Sequence, residues 1–253
     1  MEWRESDGVR WLEAELGGAT AAFSTRQGGG SKAPFDSLNL GLLTEDEPKT
    51  VIENRRRLAA ALRHNRIAHA RQVHGKQLLD ADASGIVEFV GVWPTNSTIP
   101  AELPEADGQI VREPGVAGLV FVADCLPVVL HGPGGMAVLH CGWRGLAAGI
   151  VADGAAAVGA TAAAVGPGIG PCCYEVGEEV LDAFSGLGDG IASGRMLDLP
   201  EVARRLLAAA GVETVESADL CTSCNPEVFF SHRRDAGRTG RQAGLGWLTG
   251  KAG

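Results

Sequence analysis

Apolar residues at three- and four-residue intervals mark helices along this chain, and short apolar runs broken by Gly and Pro mark strands. "DEPKTVIENRRRLAAALR" places Val51, Leu58 and Leu62 at near-helical spacing, which predicts a helix with Asp46 in its cap region. "GLAAGIVADGAAAVGAT" is rich in small residues and long enough for a helix packed closely on a sheet. "LDLPEVARRLLAAAG" is an amphipathic helix with Gly211 at its C-terminal end. "ATAAFSTRQGGGSKAPFDSLNLG" reads as a short strand through Ala22 and Phe23, a Gly-rich loop carrying Arg26, and a turn-rich segment to Asn39. In "ARQVHGKQLLDAD" His74 falls in the turn of a strand-turn unit, and "VEFVGVWPTNSTIPAELPEADGQIV" is Pro-rich and irregular until Gln109. From Gly115 come two apolar runs and a hairpin. "AAAVGPGIGPCCYEVGEEVLDAF" follows as strand, Gly/Pro loop and helix, and a last strand is expected near "VETVES". With no repeat and no true linker, residues 1–253 read as one domain of mixed α and β structure.

The hairpin decides which side chains meet. With "GPGG" (132 to 135) as a four-residue loop, His131 pairs with Met136, His140 with Pro127, and Cys125 lies opposite Gly142. Alternation then puts Cys125 and His140 on one face and Cys141 on the other. A diagonal pair separates its β-carbons by about 7 to 8 Å, a gap that a metal about 2.3 Å from sulfur and about 2.0 Å from an imidazole nitrogen can just bridge. The same spacing also suits a buried thiol and a hydrogen-bonded strand-end His with no ion between them.

Composition narrows the class. A chain of 253 residues with 45% hydrophobic content can bury a sizeable core. A formal net charge of −9 and a pI of about 5.2 exclude general attraction for nucleic acid or an anionic membrane. "MEWRESDGVRW" lacks the plan of a signal peptide, and Asp, Gly and Pro interrupt the apolar stretches short of a membrane span, so a cytoplasmic location is expected. Six cysteines in such a chain are expected to be thiols or metal ligands rather than a disulfide framework. Six histidines, none in a His-x-His pair, cannot build a mononuclear plus trinuclear copper arrangement.

Several blocks, "STRQGGGS" with "SLNLG", "RQVHG", "ADG" ahead of "ADCLPVVL", "HCGWRG", "GPGIGPCCYEVG", and "CTSC" with "FFSHRRDAGRTGRQ", run in order over nearly the whole chain. Together they resemble the YfiH/YlmD-like family, long labelled polyphenol oxidase or laccase and described as purine nucleoside phosphorylase. The resemblance implies an α+β fold of mixed sheets flanked by helices, an α/β/β/α sandwich. It implies a zinc site on His74, Cys125 and His140, with copper as an in vitro substitute. Three protein ligands leave a fourth position open, the plan of a catalytic site. The implied chemistry is cleavage of adenosine, inosine, guanosine and methylthioadenosine by phosphate, and deamination of adenosine to inosine.

Phosphorolysis needs cations for phosphate, and deamination needs a proton shuttle. Asp124, beside Cys125, is the candidate to move protons or orient the nucleophile, or else a strand-end turn former. Arg144 in "GWRG" is the candidate phosphate grip, or else a surface ion-pair partner. Arg26 and Asn39 are candidate substrate contacts from the Gly-rich loop region. Pro167 and Pro171 disrupt the dinucleotide fingerprint in "GPGIGPCCYEVG". Cys172 and Cys173 are expected to be packing residues, and "CTSC" (221 to 224) to lack the second pair that a structural zinc requires. The arginines at 233, 234, 238 and 241 form either a solvated face or a phosphate-binding rim. Two positions depart from the family's usual pattern: Cys141, where Ala is common, and His232, where Tyr is common and where His offers an extra ligand. Two other enzyme classes compete, a Cys125–His140 hydrolase of a peptidoglycan precursor and a copper polyphenol oxidase. A non-catalytic zinc or partner-binding module predicts a closed four-ligand site without a cavity.

Overall fold

The structure, a computed structural model, describes residues 1–81, 87–89 and 103–250, and for 87–89 only the backbone. In chain order the elements are β1 (Glu2–Ser6), β2 (Val9–Glu15), β3 (Ala19–Ser24), α1 (Pro48–Leu62), β4 (Arg66–Ala68), β5 (Leu78–Asp80), β6 (Val87–Phe89) and β7 (Gly108–Val111). They continue with β8 (Ala117–Val122), β9 (Leu126–Gly132), β10 (Gly135–Cys141), α2 (Trp143–Ala148), α3 (Ile150–Val158), β11 (Ala162–Val165) and α4 (Glu178–Ala183). The last are β12 (Ala192–Ser193), β13 (Met196–Leu197), α5 (Leu199–Ala209), β14 (Thr214–Ser217) and β15 (Gln242–Leu248).

Two mixed sheets carry the fold, one ordered β1-β2-β3-β15-β8-β4-β6 and the other β14-β11-β9-β10-β7-β5. Strand alternation sorts their side chains into layers. On β10, Met136 and Val138 join Phe23, Val120 and Val129 between the sheets. Ala137, Leu139 and Cys141 point the other way, onto residues of α3 and α5 such as Ile150 and Val202. The outer face of the seven-stranded sheet packs Trp11, Leu119 and Leu245 against Leu58 and Leu62 of α1. The layer order is therefore α/β/β/α, as the resemblance implied. Each fully buried Leu or Val contributes about 1.5 to 3 kcal/mol to holding the layers together.

The β9–β10 register is the one expected, His140 opposite Pro127 and Met136 opposite His131, but the ladder runs on to Gly132 opposite Gly135, so the loop is Pro133 and Gly134 rather than four residues. The helices over 48–62 and 199–209 form where expected, and Gly211 takes the left-handed conformation just past α5. Asp46 does not cap α1: Glu47 holds the cap position, and the Asp46 carboxylate accepts instead from the Glu47 and Asn39 nitrogens. The small-residue helix is split into α2 and α3 at Gly149, whose φ is 95°. The strand near "VETVES" is β14, but it is not the last, because β15 runs through the middle of the seven-stranded sheet. Of the Pro-rich stretch, residues 90–102 lie outside the described residues, and its end forms β7.

Candidate metal centre

Four adjacent strands of the six-stranded sheet, β9, β10, β7 and β5, deliver their chemistry to one end of that sheet. Cys125 immediately precedes β9, and His140 lies near the end of antiparallel β10. Asp107 precedes β7, where the His140 N–H donates to its carbonyl at 2.7 Å. His74 lies in the loop leading to β5, whose Leu78 pairs with Gly108. The alternation that sends Leu139 to the helices turns His140 toward the space between the sheets.

The buried Asp107 carboxylate organises the group. It accepts N–H bonds from Val73, His74 and Gly75 at 3.1, 2.9 and 2.7 Å, which supports His74 at a φ of 59°. It also lies 2.7 Å from His140 Nδ1, so the Nε2 edge faces Cys125 and His74. Such an outer carboxylate fixes ring orientation and tautomer. Donor atoms of His74, Cys125 and His140 lie within 4.8 Å of one another. Nitrogens at about 2.0 Å and sulfur at about 2.3 Å from one tetrahedral ion stand roughly 3.5 Å apart, so the group closes on an ion by small side-chain rotations. Gly142 leaves room for this: a β-carbon there would sit 3.0 Å from Cys125 Sγ and 3.2 Å from His74 Cδ2.

Electrostatics favour a thiolate. Burial alone would raise Cys125, but the imidazoles of His140 and His74 overcome it and bring the thiol to about 6. Burial would lower His140, and the Cys125 thiolate with Asp107 raises it to about 9. Asp107 itself falls below the usual carboxylate range, the His140 ring and the Gly75 and Val73 N–H groups outweighing its burial. The neighbouring Cys141 is the opposite case, pushed far up by burial in the helix-side core. An arriving cation would displace the proton shared between Cys125 and His140. Thiolate and imidazole together suit zinc or copper rather than magnesium or calcium.

A cavity of about 720 Å³ opens over the three donors, and its walls include Leu43, Arg55, Gln72, Phe121 and Arg241. Gln72 clamps the wall, donating to the Phe121 carbonyl and accepting from its N–H at 2.8 and 2.7 Å. The guanidinium of Arg55 stacks over the Phe121 ring at 4.7 Å. A closed four-ligand module without a cavity is not what these residues form.

The remaining sequence candidates stand outside the donor group. Asp124, at a φ of 90°, has both carboxylate oxygens occupied, by the Thr222 hydroxyl at 2.6 Å and the Arg233 N–H at 2.7 Å. Arg144 is exposed and stacked on Trp143 at 4.5 Å. Arg26 bonds the Asp36 and Pro226 carbonyls and covers Phe230, so it straps two loops together. Asn39 is fully buried and bonds Thr44, Asp46 and the Arg241 N–H. None of these four is among the described residues lining the cavity. His232 is exposed beside Gly237 and adds no donor to the group. The arginine group divides: Arg234 is tied into Asp235 and nearby carbonyls, Arg238 pairs with Glu45 in solvent, and Arg241 reaches the cavity. Cys172 is exposed rather than packed, and with Cys173 it lies against Cys221 and Cys224, so "CTSC" does have a second pair. Asp107 sits in the quoted "ADG" but was not among the sequence candidates, and Phe121 carries no motif.

The family described as multi-copper polyphenol oxidoreductase laccase matches residues 20–249. A Pseudomonas aeruginosa protein named purine nucleoside phosphorylase is 39% identical over 243 residues, covering 90% of this chain and 93% of the relative. The Escherichia coli purine nucleoside phosphorylase YfiH is 38% identical over 246 residues, covering 91% and 94%. Among solved structures, YfiH of Bacillus licheniformis superposes with a TM-score of 0.83 at 32% identity, covering 98% of this chain and 99% of that one. YlmD of Geobacillus stearothermophilus gives 0.81 at 34%, covering 97% of each.

Proposed function

This chain belongs to the YfiH-like family described as multi-copper polyphenol oxidoreductase laccase, and from that membership we propose that it is a zinc-dependent purine nucleoside phosphorylase. The observation that carries the reading is a group of three donors, His74, Cys125 and His140, beneath a cavity of about 720 Å³. Those residues would hold the ion, which when bound polarises an oxygen or nitrogen at its remaining position. In phosphorolysis a phosphate oxygen bonds to C1′ of the nucleoside as the bond from C1′ to the purine nitrogen breaks. The base leaves with a proton, and ribose 1-phosphate remains.

Arg241 and Arg55 are the cations assigned to phosphate. Nη1 of Arg241 is fixed on the Thr239 and Gly240 carbonyls, and Nε of Arg55 on the Leu40 carbonyl, so both guanidiniums are held in place. Phe121 and Leu43 supply apolar surface for the purine. Glu105, the one carboxylate among the described lining residues, pairs with Arg71 through Oε1 at 2.8 Å and is assigned proton transfer at the leaving base through its other oxygen. Asp124 is then a positioning residue: with both oxygens engaged it fixes the backbone beside Cys125 rather than moving a proton. The phosphate grip passes from Arg144 to Arg241, and Arg26 and Asn39 shape the surrounding loops. Adenosine, inosine, guanosine and methylthioadenosine are the proposed substrates, and in the proposed deamination of adenosine water adds at C6 of the purine and ammonia leaves, which gives inosine with the bond to C1′ intact. The chain is read as one cytoplasmic domain over 1–253.

Zinc-loaded protein given adenosine and phosphate is expected to release adenine and ribose 1-phosphate, and His140→Ala to abolish the release. Failure of the fully loaded protein to form ribose 1-phosphate would refute the reading. A second reading, a thiol hydrolase of a peptidoglycan precursor, is favoured by the Cys125–His140 ionisation alone. Chelation separates the two, since a thiol hydrolase keeps its activity without metal. Copper suits the same donors, but of the six histidines only His74 and His140 lie in a donor group, which leaves no trinuclear partner.

A further inference from the structure

Two cysteine pairs far apart in the chain meet because β11 and β14 are parallel neighbours. Beyond their ladder the pairing continues as a bridge between Gly168 and Cys221, with the Thr222 N–H donating to the Gly168 carbonyl at 2.9 Å. This lays the Gly/Pro loop that carries Cys172 and Cys173 against the Cys221–Cys224 turn. The four sulfurs lie within 4.8 Å of one another, and Cys224 Sγ is 3.3 Å from that of Cys172 and 3.4 Å from that of Cys173. One sulfur nearly equidistant from two others is the geometry of a shared centre rather than of a pairwise bond. Thiolates about 2.3 Å from a tetrahedral zinc stand roughly 3.8 Å apart, which falls within this range. Cys221 Sγ also accepts the Gly170 N–H at 3.3 Å, a bond that offsets thiolate charge.

We propose that Cys172, Cys173, Cys221 and Cys224 form a second metal site, a closed four-thiolate zinc centre separate from the His74, Cys125 and His140 group. Zinc binds as the dication, and the thiol protons it displaces pass to solvent. Four soft donors with no imidazole or carboxylate select zinc over harder cations. The centre is structural, because four protein ligands leave no open position. Its reach extends to the cavity through Thr222, which lies inside the Cys221–Cys224 turn and donates to Asp124, the neighbour of Cys125. Closing the turn therefore holds the segment that pins Asp124.

The full chain, expressed in zinc-supplemented medium and kept under a thiol reductant, tests this by metal analysis and zinc-edge X-ray absorption. The wild type is expected to carry two zinc ions with an average of about two and a half sulfur neighbours each, from one four-sulfur site and one single-sulfur site. His74→Ala/Cys125→Ser is expected to keep one zinc with about four sulfur neighbours at about 2.3 Å. Cys221→Ser/Cys224→Ser is expected to lose that zinc and keep the other. One zinc with a single sulfur neighbour in the wild type would overturn the proposal without recourse to any variant. So would a His74→Ala/Cys125→Ser protein that folds and binds no zinc. One zinc with four sulfurs in the wild type upholds this centre and counts instead against the metal reading of His74, Cys125 and His140.

Discussion

A single buried carboxylate joins His74 to His140. Asp107 accepts three N–H bonds on one side and contacts the His140 ring on the other, across 33 residues of sequence. Asp107→Asn keeps the volume but sets an amide N–H against donors that need an acceptor, which loosens the His74 turn and leaves His140 free to rotate. Metal affinity is expected to fall about 10- to 100-fold with the fold retained, read by competition against a chelator and by circular dichroism. Unchanged affinity would remove Asp107 from this role. The Cys125–His140 pairing was legible in the sequence because strand alternation is a local rule. His74 was reached only through the family resemblance, because its turn is set by a carboxylate that no periodicity connects to it. The engagements of Asp124, Arg26 and Asn39 are hidden from the sequence for the same reason. Their partners, Arg233, Pro226 and Arg241, lie about a hundred or more residues away, and only the folded chain shows them engaged.

Among elements, β15 shows where local patterning misleads. "QAGLGWL" has Gly at alternate positions, which weakens a strand reading, yet β15 pairs with both β3 and β8. The glycines are there because the sheets approach closely. A β-carbon at Gly244 would lie 2.3 Å from Pro127 Cβ, and one at Gly246 would lie 2.4 Å from the mobile end of Met136. Pro127 is rigid and lies opposite His140 on the neighbouring strand, so it cannot yield without disturbing the metal group. Gly244→Ala is therefore expected to cost about 3 kcal/mol, at the upper end of the usual cost of overpacking. Gly186→Ala, at a position with nothing within 4 Å, is expected to be near neutral. Urea-unfolding midpoints with matched slopes compare the two, and equal stability of both variants would contradict the close approach of the sheets.

At the scale of the whole molecule, the layer order was reached only through the family resemblance, and the crossing between layers was not reached at all. After β14 the chain leaves the six-stranded sheet and returns through residues 218–241 to enter the seven-stranded sheet as β15, bringing Arg241 to the cavity. Phe229 and Phe230 bury their rings in this crossing, and charged hydrogen bonds tie down the polar residues around them. Arg234 reaches the Thr222 and Phe229 carbonyls, and Asp235 binds Arg234 and the Thr239 hydroxyl. Burial by itself would raise Asp235, but Arg234 and Thr239 hold it below the usual carboxylate range. A carboxylate depressed on folding contributes stability that is fully present above its unfolded pKa of about 3.9 and is lost as pH falls through the lower folded value. The crossing should therefore loosen in acid while the apolar layers persist. Asp235→Asn removes the charge at every pH, so it is expected to cost about 2 kcal/mol at pH 7, the worth of hydrogen bonds to a charged group. The gap between variant and wild type should narrow as the solution is taken below about pH 3.9, toward the lower folded value. Urea titrations at pH 7 and pH 2 measure both differences. A gap that stays constant with pH would assign the stability of the crossing to packing rather than to the ionised carboxylate.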